Sequence, residues 1–160
     1  MEVGLIKIIY GDGRGKSTAA FGQAVQAASQ GKNVTIIQFL KARDEDKINF
    51  IRRLEPEIKV FRFEKSDDFY DALSEEKQSE EVSNIRNGIN FARKVLQTGS
   101  SDMLILDEIL GLLDNQIISV EEIKELIEHK SEHMDLVFTG RCLPEEVRSM
   151  ADEVTKVESC

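Results

Sequence analysis

The amino-acid sequence predicts an α/β fold with a mainly parallel central sheet flanked by helices. Short apolar runs rich in β-branched residues alternate with longer helical patterns, as in sheets that helices cover. The runs are continuous, which is typical of strands buried on both faces. With 160 residues, 41% hydrophobic and 32% charged, the chain has the size and composition of one soluble domain. We therefore expect residues 1–160 to form a single α/β domain.

Six apolar runs are the candidate strands, and the last is the weakest of them. They are Leu5–Tyr10, Val34–Phe39, Ile58–Phe63, Met103–Leu106, Leu136–Thr139 and Val154–Val157.

Four helices are predicted between these runs. The first, Ser17–Gln30, is rich in alanine and ends before Gly31, a common C-terminal stop. The second, Ser74–Gln97, carries apolar residues at helical spacing. In the third, Ser119 and Glu122 have the spacing of a capping box. In the fourth, Pro144 suits the first turn of a helix that runs to about Ala151.

Charge and cysteine content restrict the partners. The net charge of −9 would repel a phosphate backbone, so we expect no nucleic-acid partner. No apolar stretch approaches the roughly 20 residues that span a bilayer, and the first residues do not resemble a secretory signal. Cys142 and Cys160 are far apart and suggest reduced thiols. We therefore expect a cytoplasmic protein with no membrane partner.

A glycine-rich loop follows the first candidate strand and leads directly into a helix. Its glycines allow several N–H groups to turn toward one anion, and the helix adds a partial positive charge at its start. A lysine for phosphate oxygens and a hydroxyl for Mg²⁺ complete the pattern of a phosphate loop. The alternative without a ligand is a glycine-rich turn that caps an ordinary helix. The loop reads Gly11, Asp12, Gly13, Arg14, Gly15, Lys16, Ser17 and Thr18.

This loop departs from the usual pattern at its first position. The common pattern has a glycine five residues before the glycine that precedes the lysine. That position is Tyr10, and the first glycine is Gly11. The loop is therefore one residue short.

A second candidate site lies at the end of the fourth strand, where Asp107 and Glu108 follow an apolar run. We expect this strand to lie beside the phosphate-loop strand, so that one acid reaches Mg²⁺ and the other orients a substrate group. The alternative is a solvated strand end. Arg141, at the end of the fifth strand, either reaches the nucleotide or is a surface residue. His129 and His133 are four residues apart, and we interpret them as a solvated helix face.

With both motifs placed, the chain resembles the phosphate-loop ATP:corrinoid adenosyltransferases, also called cob(I)alamin adenosyltransferases. The matching segments occur in the family's order and span nearly the whole chain. The short loop followed by Thr-Ala-Ala-Phe-Gly is also how the family's loop reads. The segments are Gly11–Gly22, Gly31–Lys41, Asp102–Glu108, Phe138–Arg141 and Ala151–Asp152.

The resemblance implies a RecA-like phosphate-loop domain that transfers the 5′-deoxyadenosyl group of ATP to the cobalt of a reduced corrinoid, releasing triphosphate. Cobalt(I) is the nucleophile, so no side chain attacks. Lys16 and Glu108 become the catalytic residues. The loop from Gly11 to Thr18 holds the phosphates, with Arg14 in contact with them, and ATP lies in a reversed direction. Ser17 with Asp107 or Glu108 surrounds Mg²⁺. The family also implies a homodimer and a flavin-type electron donor protein.

Two departures keep other functions open. The family usually carries a Phe and a Trp after its third strand, which contact the corrinoid, and this chain has no Trp. Phe69 and Tyr70 occupy roughly that region and either contact the corrinoid or are core aromatics. The family also continues past the last strand as a basic tail, whereas this sequence ends at Cys160. The alternatives are a phosphate-loop NTPase or phosphotransferase, and an ATP-binding module that lacks the corrinoid site.

Overall fold

The computed structural model describes residues 3–40, 45–66 and 68–159. Lys41 and Cys160, which the sequence interpretation used, lie outside these residues.

Within the described residues, six strands form one sheet in the order β3-β2-β4-β5-β1-β6, with every neighbouring pair parallel. The α/β fold with a parallel sheet is thus confirmed. β4 and β5 are buried along nearly their whole length, because helices cover both faces of the sheet. The strands are β1 Ile6–Tyr10, β2 Val34–Gln38, β3 Ile58–Arg62, β4 Met103–Asp107, β5 Asp135–Gly140 and β6 Glu153–Lys156.

One expectation about the sheet is wrong, because β4 does not lie beside β1. β5 is placed between them, and Phe138 of β5 is paired with Ile8 of β1 on one side and with Leu106 of β4 on the other. From Leu136 to Gly140 every residue of β5 is buried, so this strand suits the middle of the sheet better than its edge. The ends of β1 and β4 are consequently separated by the width of one strand.

Helices lie on both faces of the sheet. The four predicted helices are present, and α2 and α4 were not predicted. In the described part of the chain no helix is long and apolar enough to cross a membrane. The helices are α1 Lys16–Ser29, α2 Glu45–Arg52, α3 Glu75–Thr98, α4 Ile109–Asp114, α5 Val120–His129 and α6 Glu145–Arg148, and a 3-10 turn spans Tyr70–Ala72.

The helix caps explain where two helices begin. The Ser74 hydroxyl accepts a hydrogen bond from the N–H of Lys77, and the Ser119 hydroxyl accepts one from the N–H of Glu122. These bonds satisfy N–H groups that have no acceptor inside the helix. The predicted capping box is only half present, since the Glu122 carboxylate pairs with Arg86 of α3.

The position of α1 is set by small residues. Its buried face consists of Ala20, Ala24 and Ala27, so the helix packs closely on the sheet and contacts β1, β5 and β4. α1 therefore extends from the strand that precedes it toward β4. This brings the start of α1 to the carboxyl end of β4 although β5 lies between the two strands.

The two histidines were expected on one helix face, but they do not share a helix. α5 ends at His129, and His133 lies in the turn that follows. His129 is within reach of Gln97 and Glu125, whereas His133 lies 4.0 Å from a carboxylate oxygen of Asp102. Each histidine thus has its own surface partners.

Candidate nucleotide-binding site

The glycine-rich loop is fastened to the ends of three strands. The N–H of Gly11 donates to the carbonyl of Gly140 at the end of β5, over 3.1 Å. The N–H of Gly13 donates to the carbonyl of Val157 just past β6, also over 3.1 Å, and the N–H of Val157 donates to the carbonyl of Tyr10 over 2.7 Å. The first half of the loop is therefore held in place by backbone hydrogen bonds to residues at the ends of β5 and β6.

The three loop glycines are required for different reasons. Gly11 and Gly15 have φ angles of 133° and 104°, which side chains disfavour. Gly13 is required by space instead, because a Cβ there would lie 2.9 Å from the carbonyl oxygen of Val157. Since the N–H groups of Gly11 and Gly13 already have carbonyl acceptors, the donors for an anion lie later, in the first turn of α1.

Two basic side chains of the loop line the same cleft. Lys16 is half-buried, and its ammonium donates to the carbonyl oxygen of Gly13 over 3.0 Å, so it folds back across the loop. Arg14 is exposed, as are Asp12 and Thr18. Lys16 and Arg14 both border the cleft described below. The loop thus presents two positive charges and a helix N-terminus to one space, an arrangement that suits an anionic ligand.

Behind the loop, a hydrogen-bond network joins the start of α1 to the ends of β4 and β5. The Ser17 hydroxyl donates to Oδ1 of Asp107 over 2.9 Å. The Thr139 hydroxyl donates to the same oxygen over 2.7 Å and accepts from the N–H of Glu108 over 2.7 Å. Asp107 is 3% exposed and Thr139 is fully buried. We refer to Ser17, Asp107, Thr139 and the N–H of Glu108 as the carboxylate network.

Thr139 is the functional candidate that sequence reasoning missed. Thr139 lies in β5, the strand between β1 and β4, and its hydroxyl joins the two predicted motifs. Its signal in the sequence was a polar residue at the end of an otherwise apolar strand. The family resemblance included Phe138–Arg141 but gave Thr139 no role.

The oxygen atoms of Ser17 and Asp107 suit a hard cation such as Mg²⁺, which prefers hydroxyl, carboxylate, phosphate and water oxygens. They lie in hydrogen-bond contact at the foot of the loop. Glu108 leaves the strand differently, with a φ of 67°. Its side chain lies against Gly111 of α4, where a Cβ would be 3.5 Å from Cγ of Glu108. Asp107 therefore faces Ser17, and Glu108 lines the neighbouring cleft.

A cleft of about 650 Å³ extends from the loop to α4 and the 3-10 turn. Most of its lining is polar, and apart from glycines its only apolar members among the described residues are Leu40 and Phe69. Arg141 is exposed and borders the cleft from the end of β5. The lining residues are Arg14, Gly15, Lys16, Ser17, Thr18, Leu40, Phe69, Asp71, Glu108, Gly111, Asp114, Asn115 and Arg141.

The two aromatic candidates are in different environments. Phe69 is 62% exposed at the rim of the cleft, so it is not a core aromatic. Tyr70 packs against the main core cluster. Contact with a corrinoid remains a prediction for Phe69, and the position of Tyr70 favours the core interpretation.

A second, apolar cavity of about 200 Å³ lies on the other side of Ser17 and Thr18. Ala20, Phe21, Ile36, Val60 and Ile105 form much of its wall, and Phe50 and Ile51 of α2 cover it. A ligand seated on the loop would therefore have a polar cleft on one side of Ser17 and an apolar cavity on the other.

The fold and the loop define a RecA-like phosphate-loop protein. Two solved structures share this fold, each with low sequence identity. A KaiC-like protein from Pyrococcus horikoshii aligns with a TM-score of 0.61 at 16% identity, over 100% of this chain and 76% of that one. The flagellar accessory protein FlaH from Methanocaldococcus jannaschii aligns with a TM-score of 0.64 at 17% identity, over 99% and 73%.

Sequence comparison defines the family within that class. Residues 2–160 match the ATP:corrinoid adenosyltransferases BtuR/CobO/CobP, and the chain belongs to this family. It is 28% identical to a corrinoid adenosyltransferase of Escherichia coli K12, over 98% of this chain and 77% of the relative. It is 26% identical to the corrinoid adenosyltransferase CobA of Salmonella typhimurium over the same shares. A corrinoid adenosyltransferase of a Sinorhizobium species is 29% identical, over 98% and 73%.

Proposed function

We propose that this protein transfers the 5′-deoxyadenosyl group of ATP to the cobalt of a reduced corrinoid and releases triphosphate. The observation that carries the proposal is the carboxylate network, which joins Ser17 of the phosphate loop to Asp107 of β4. It occurs in a chain that matches the corrinoid adenosyltransferase family over residues 2–160. Family membership favours this activity over the NTPase and the non-catalytic alternatives.

The reaction needs no nucleophile from the protein. Cobalt(I) supplies the electron pair for the new bond to C5′ of ATP, the bond between C5′ and oxygen breaks, and its electrons leave with the triphosphate. The protein has to hold C5′ in line with cobalt and stabilise the charge on the leaving triphosphate. Both tasks suit a cleft that begins at a phosphate loop and contains apolar side chains further out.

Lys16 is the residue best placed to neutralise the leaving group. Its ammonium lies over the loop, 3.0 Å from the carbonyl of Gly13, and in the proposed complex it exchanges that oxygen for a phosphate oxygen. The N–H groups at the start of α1 and the guanidinium of Arg14 add to the positive potential. Arg141 reaches the same space from β5.

Ser17 and Asp107 would hold Mg²⁺, and Glu108 would orient water or a substrate group in the cleft. When bound, the ion supplies positive charge against the triphosphate. The carboxylate network keeps Asp107 directed at Ser17 through Thr139. A reversed ATP would place its ribose toward Leu40 and Phe69, where an acceptor can enter.

Further parts of the proposal rest on family resemblance alone. They are a homodimeric state and reduction of the corrinoid by a flavin-type protein. A cytoplasmic location is proposed separately, from the two widely spaced cysteines that suggest reduced thiols. Phe69, exposed at the rim of the cleft, is the side chain that we assign to the corrinoid.

The test is anaerobic incubation with ATP, Mg²⁺ and chemically reduced cob(I)alamin, following the corrinoid spectrum and the triphosphate formed. We expect adenosylcobalamin and triphosphate in equal amounts. Lys16→Ala should lower the rate by about 100-fold or more, because a charged donor to the leaving group is lost. Lys124→Ala on the exposed face of α5 makes the same change away from the cleft and should leave the rate unchanged.

Three other outcomes would reject the transferase. ADP and phosphate as products would identify an NTPase, and transfer of phosphate to an acceptor would identify a phosphotransferase. ATP binding that Lys16→Ala abolishes, with no product formed, would identify a non-catalytic nucleotide-binding module.

A further inference from the structure

Leu40 adopts an unusual backbone conformation at the edge of the cleft. It follows β2, where the N–H of Phe39 still donates to the carbonyl of Asp107 over 3.0 Å. Leu40 then has a φ of 57°, in the left-handed region that residues with a Cβ disfavour. Such a conformation persists only where its surroundings impose it.

The side chain of Leu40 contacts α4 next to Glu108. A Cβ on Gly111 would lie 2.8 Å from Cδ1 of Leu40 and 3.5 Å from Cγ of Glu108. The two side chains therefore lie together over this glycine. Leu40 and Phe69 are also the two large apolar side chains among the described residues of the cleft. Leu40 thus forms an apolar wall beside Glu108.

A carboxylate holds the backbone of Leu40 in place. Oε1 of Glu64, two residues past β3, accepts the N–H of Leu40 over 2.7 Å. Burial raises the pKa of Glu64 to about 7 against the opposing effect of this hydrogen bond, and the nearby Glu81 raises it further while Arg62 lowers it. The carboxyl group thus occupies a site where burial disfavours its charged form, and its hydrogen bond to Leu40 is formed there in spite of that cost.

The neighbouring carboxylate performs a similar task on the next segment. Glu81 of α3 is 6% exposed, and its two oxygens each accept the N–H of Lys65 over 3.1 Å. Lys65 begins the segment that leads to Phe69. Glu64 therefore fixes the backbone at Leu40, and Glu81 fixes the backbone at Lys65, four residues before Phe69.

We propose that Glu64 is a positioning residue for the acceptor substrate, because it holds Leu40 in the left-handed turn that makes its side chain the apolar wall beside Glu108. This inference rests on the proposed function. A corrin ring presents a large apolar surface, whereas the triphosphate contacts the loop. Loss of Glu64 should therefore weaken use of the corrinoid and leave ATP binding intact.

The experiment compares Glu64→Ala, Leu40→Ala and the double variant in anaerobic adenosylation assays, with the Kd for ATP measured separately. We expect each single variant to raise the KM for cob(I)alamin by about tenfold, with the Kd for ATP within about twofold of wild type. The double variant should be no worse than the singles, because both changes remove one wall. Glu57→Ala, an exposed glutamate before β3, is the matched control and should match wild type.

Glu64→Gln keeps an oxygen for the N–H of Leu40 and guards against misfolding of the alanine variant. The ionised carboxylate accepts the N–H of Leu40 more strongly than a neutral oxygen does. In wild type the KM should therefore rise as the pH falls below about 7 and approach the value of Glu64→Gln, whose KM should not change over this range. The charged groups that face Glu64 are Arg62 and Glu81, with Arg52 and Glu55 across a shared cavity. These neighbouring groups are the same in wild type and in Glu64→Gln, so a difference between the two pH profiles of KM is caused by residue 64.

Several results would overturn the inference. An unchanged KM in Glu64→Ala, an equal loss of ATP binding, additive effects in the double variant, or the same pH profile in wild type and Glu64→Gln would each do so while wild type remains active. An inactive wild type would instead reject the proposed function, and the inference with it.

Discussion

At the scale of single residues, the hydroxyl of Thr139 connects parts of the site that are far apart in the sequence. It donates a hydrogen bond to the Asp107 carboxylate, which also accepts one from the Ser17 hydroxyl, and it accepts a hydrogen bond from the N–H of Glu108. Glu108 has a positive φ, and this hydrogen bond helps to hold that conformation. Thr139 is therefore a positioning residue for both acids.

Replacement of Thr139 by valine removes this hydroxyl with little change in shape. The N–H of Glu108 would lose its partner, at a cost of about 1–3 kcal/mol. We expect the kcat for adenosylation to fall by about 10- to 100-fold, and Thr139→Ser to retain most of the activity. Both variants are compared with wild type in the anaerobic assay at saturating ATP and cob(I)alamin.

A matched control is available in the same sheet. Thr35 of β2 is buried, and its hydroxyl lies in hydrogen-bond contact with Ser101 at the opposite end of the strands. Thr35→Val should lower the free energy of unfolding by about 1 kcal/mol or more without changing kcat. Equal effects of the two valine variants on kcat would contradict a specific role for Thr139.

At the scale of elements, two glycines within helices distinguish helix propensity from packing. Gly88 lies where α3 crosses the ends of β2 and β3, and a Cβ there would approach the rings of Phe39 and Phe63 to 3.0 and 3.1 Å. A Cβ on Gly22 of α1 would meet nothing within 4 Å. Gly22→Ala should therefore raise the free energy of unfolding by about 0.5–1 kcal/mol.

Gly88→Ala should have the opposite sign. Its gain in helix propensity is of the same size, but displacing the buried ring of Phe39 and the partly buried ring of Phe63 costs about 1–3 kcal/mol, so we expect a net loss. Urea unfolding of the two variants beside wild type measures both values. A stabilising Gly88→Ala would show that the rings yield freely and that α3 is not held at a fixed distance from the sheet.

The helices and strands differ in how well the sequence predicts them, for physical reasons. Continuous apolar runs identified the strands. Alanines identified α1, apolar residues at helical spacing identified α3, and the pattern of a capping box identified α5. α4 was missed because Ile109, Leu110 and Leu112 are all buried, which leaves no polar face to give a helical period. The order of the strands was wrong at β5, because burial on both faces looks alike in all central strands.

At the scale of the whole molecule, the site depends on contacts that a local pattern cannot show. Lys16, Ser17 and Asp107 were chosen because each lies in a motif. Thr139 and the contact between Leu40 and Glu64 join residues 32 and 24 positions apart, and only the fold brings them together. The sequence thus identified candidate groups for phosphate and metal, but not the residues that hold those groups in position.

Glu64 also makes the stability of the whole molecule depend on pH. Its pKa is raised from 4.5 to about 7, so between these values the folded state holds a proton that the unfolded state has lost. The stabilisation is complete below pH 4.5 and is lost as the pH rises through about 7. At about 1.4 kcal/mol per pKa unit, the full effect is at most about 3 kcal/mol.

We therefore expect wild type to lose about 2 kcal/mol relative to Glu64→Gln between about pH 5.5 and about pH 8. Glutamine cannot ionise, so the difference between the two free energies of unfolding, measured in urea across this range, isolates residue 64. Glu132→Gln, at an exposed position, controls for the loss of one charge from an acidic chain. A difference that stays constant with pH would mean that Glu64 is solvated in the folded state. Its hydrogen bond to Leu40 would then carry no cost of burying a charge.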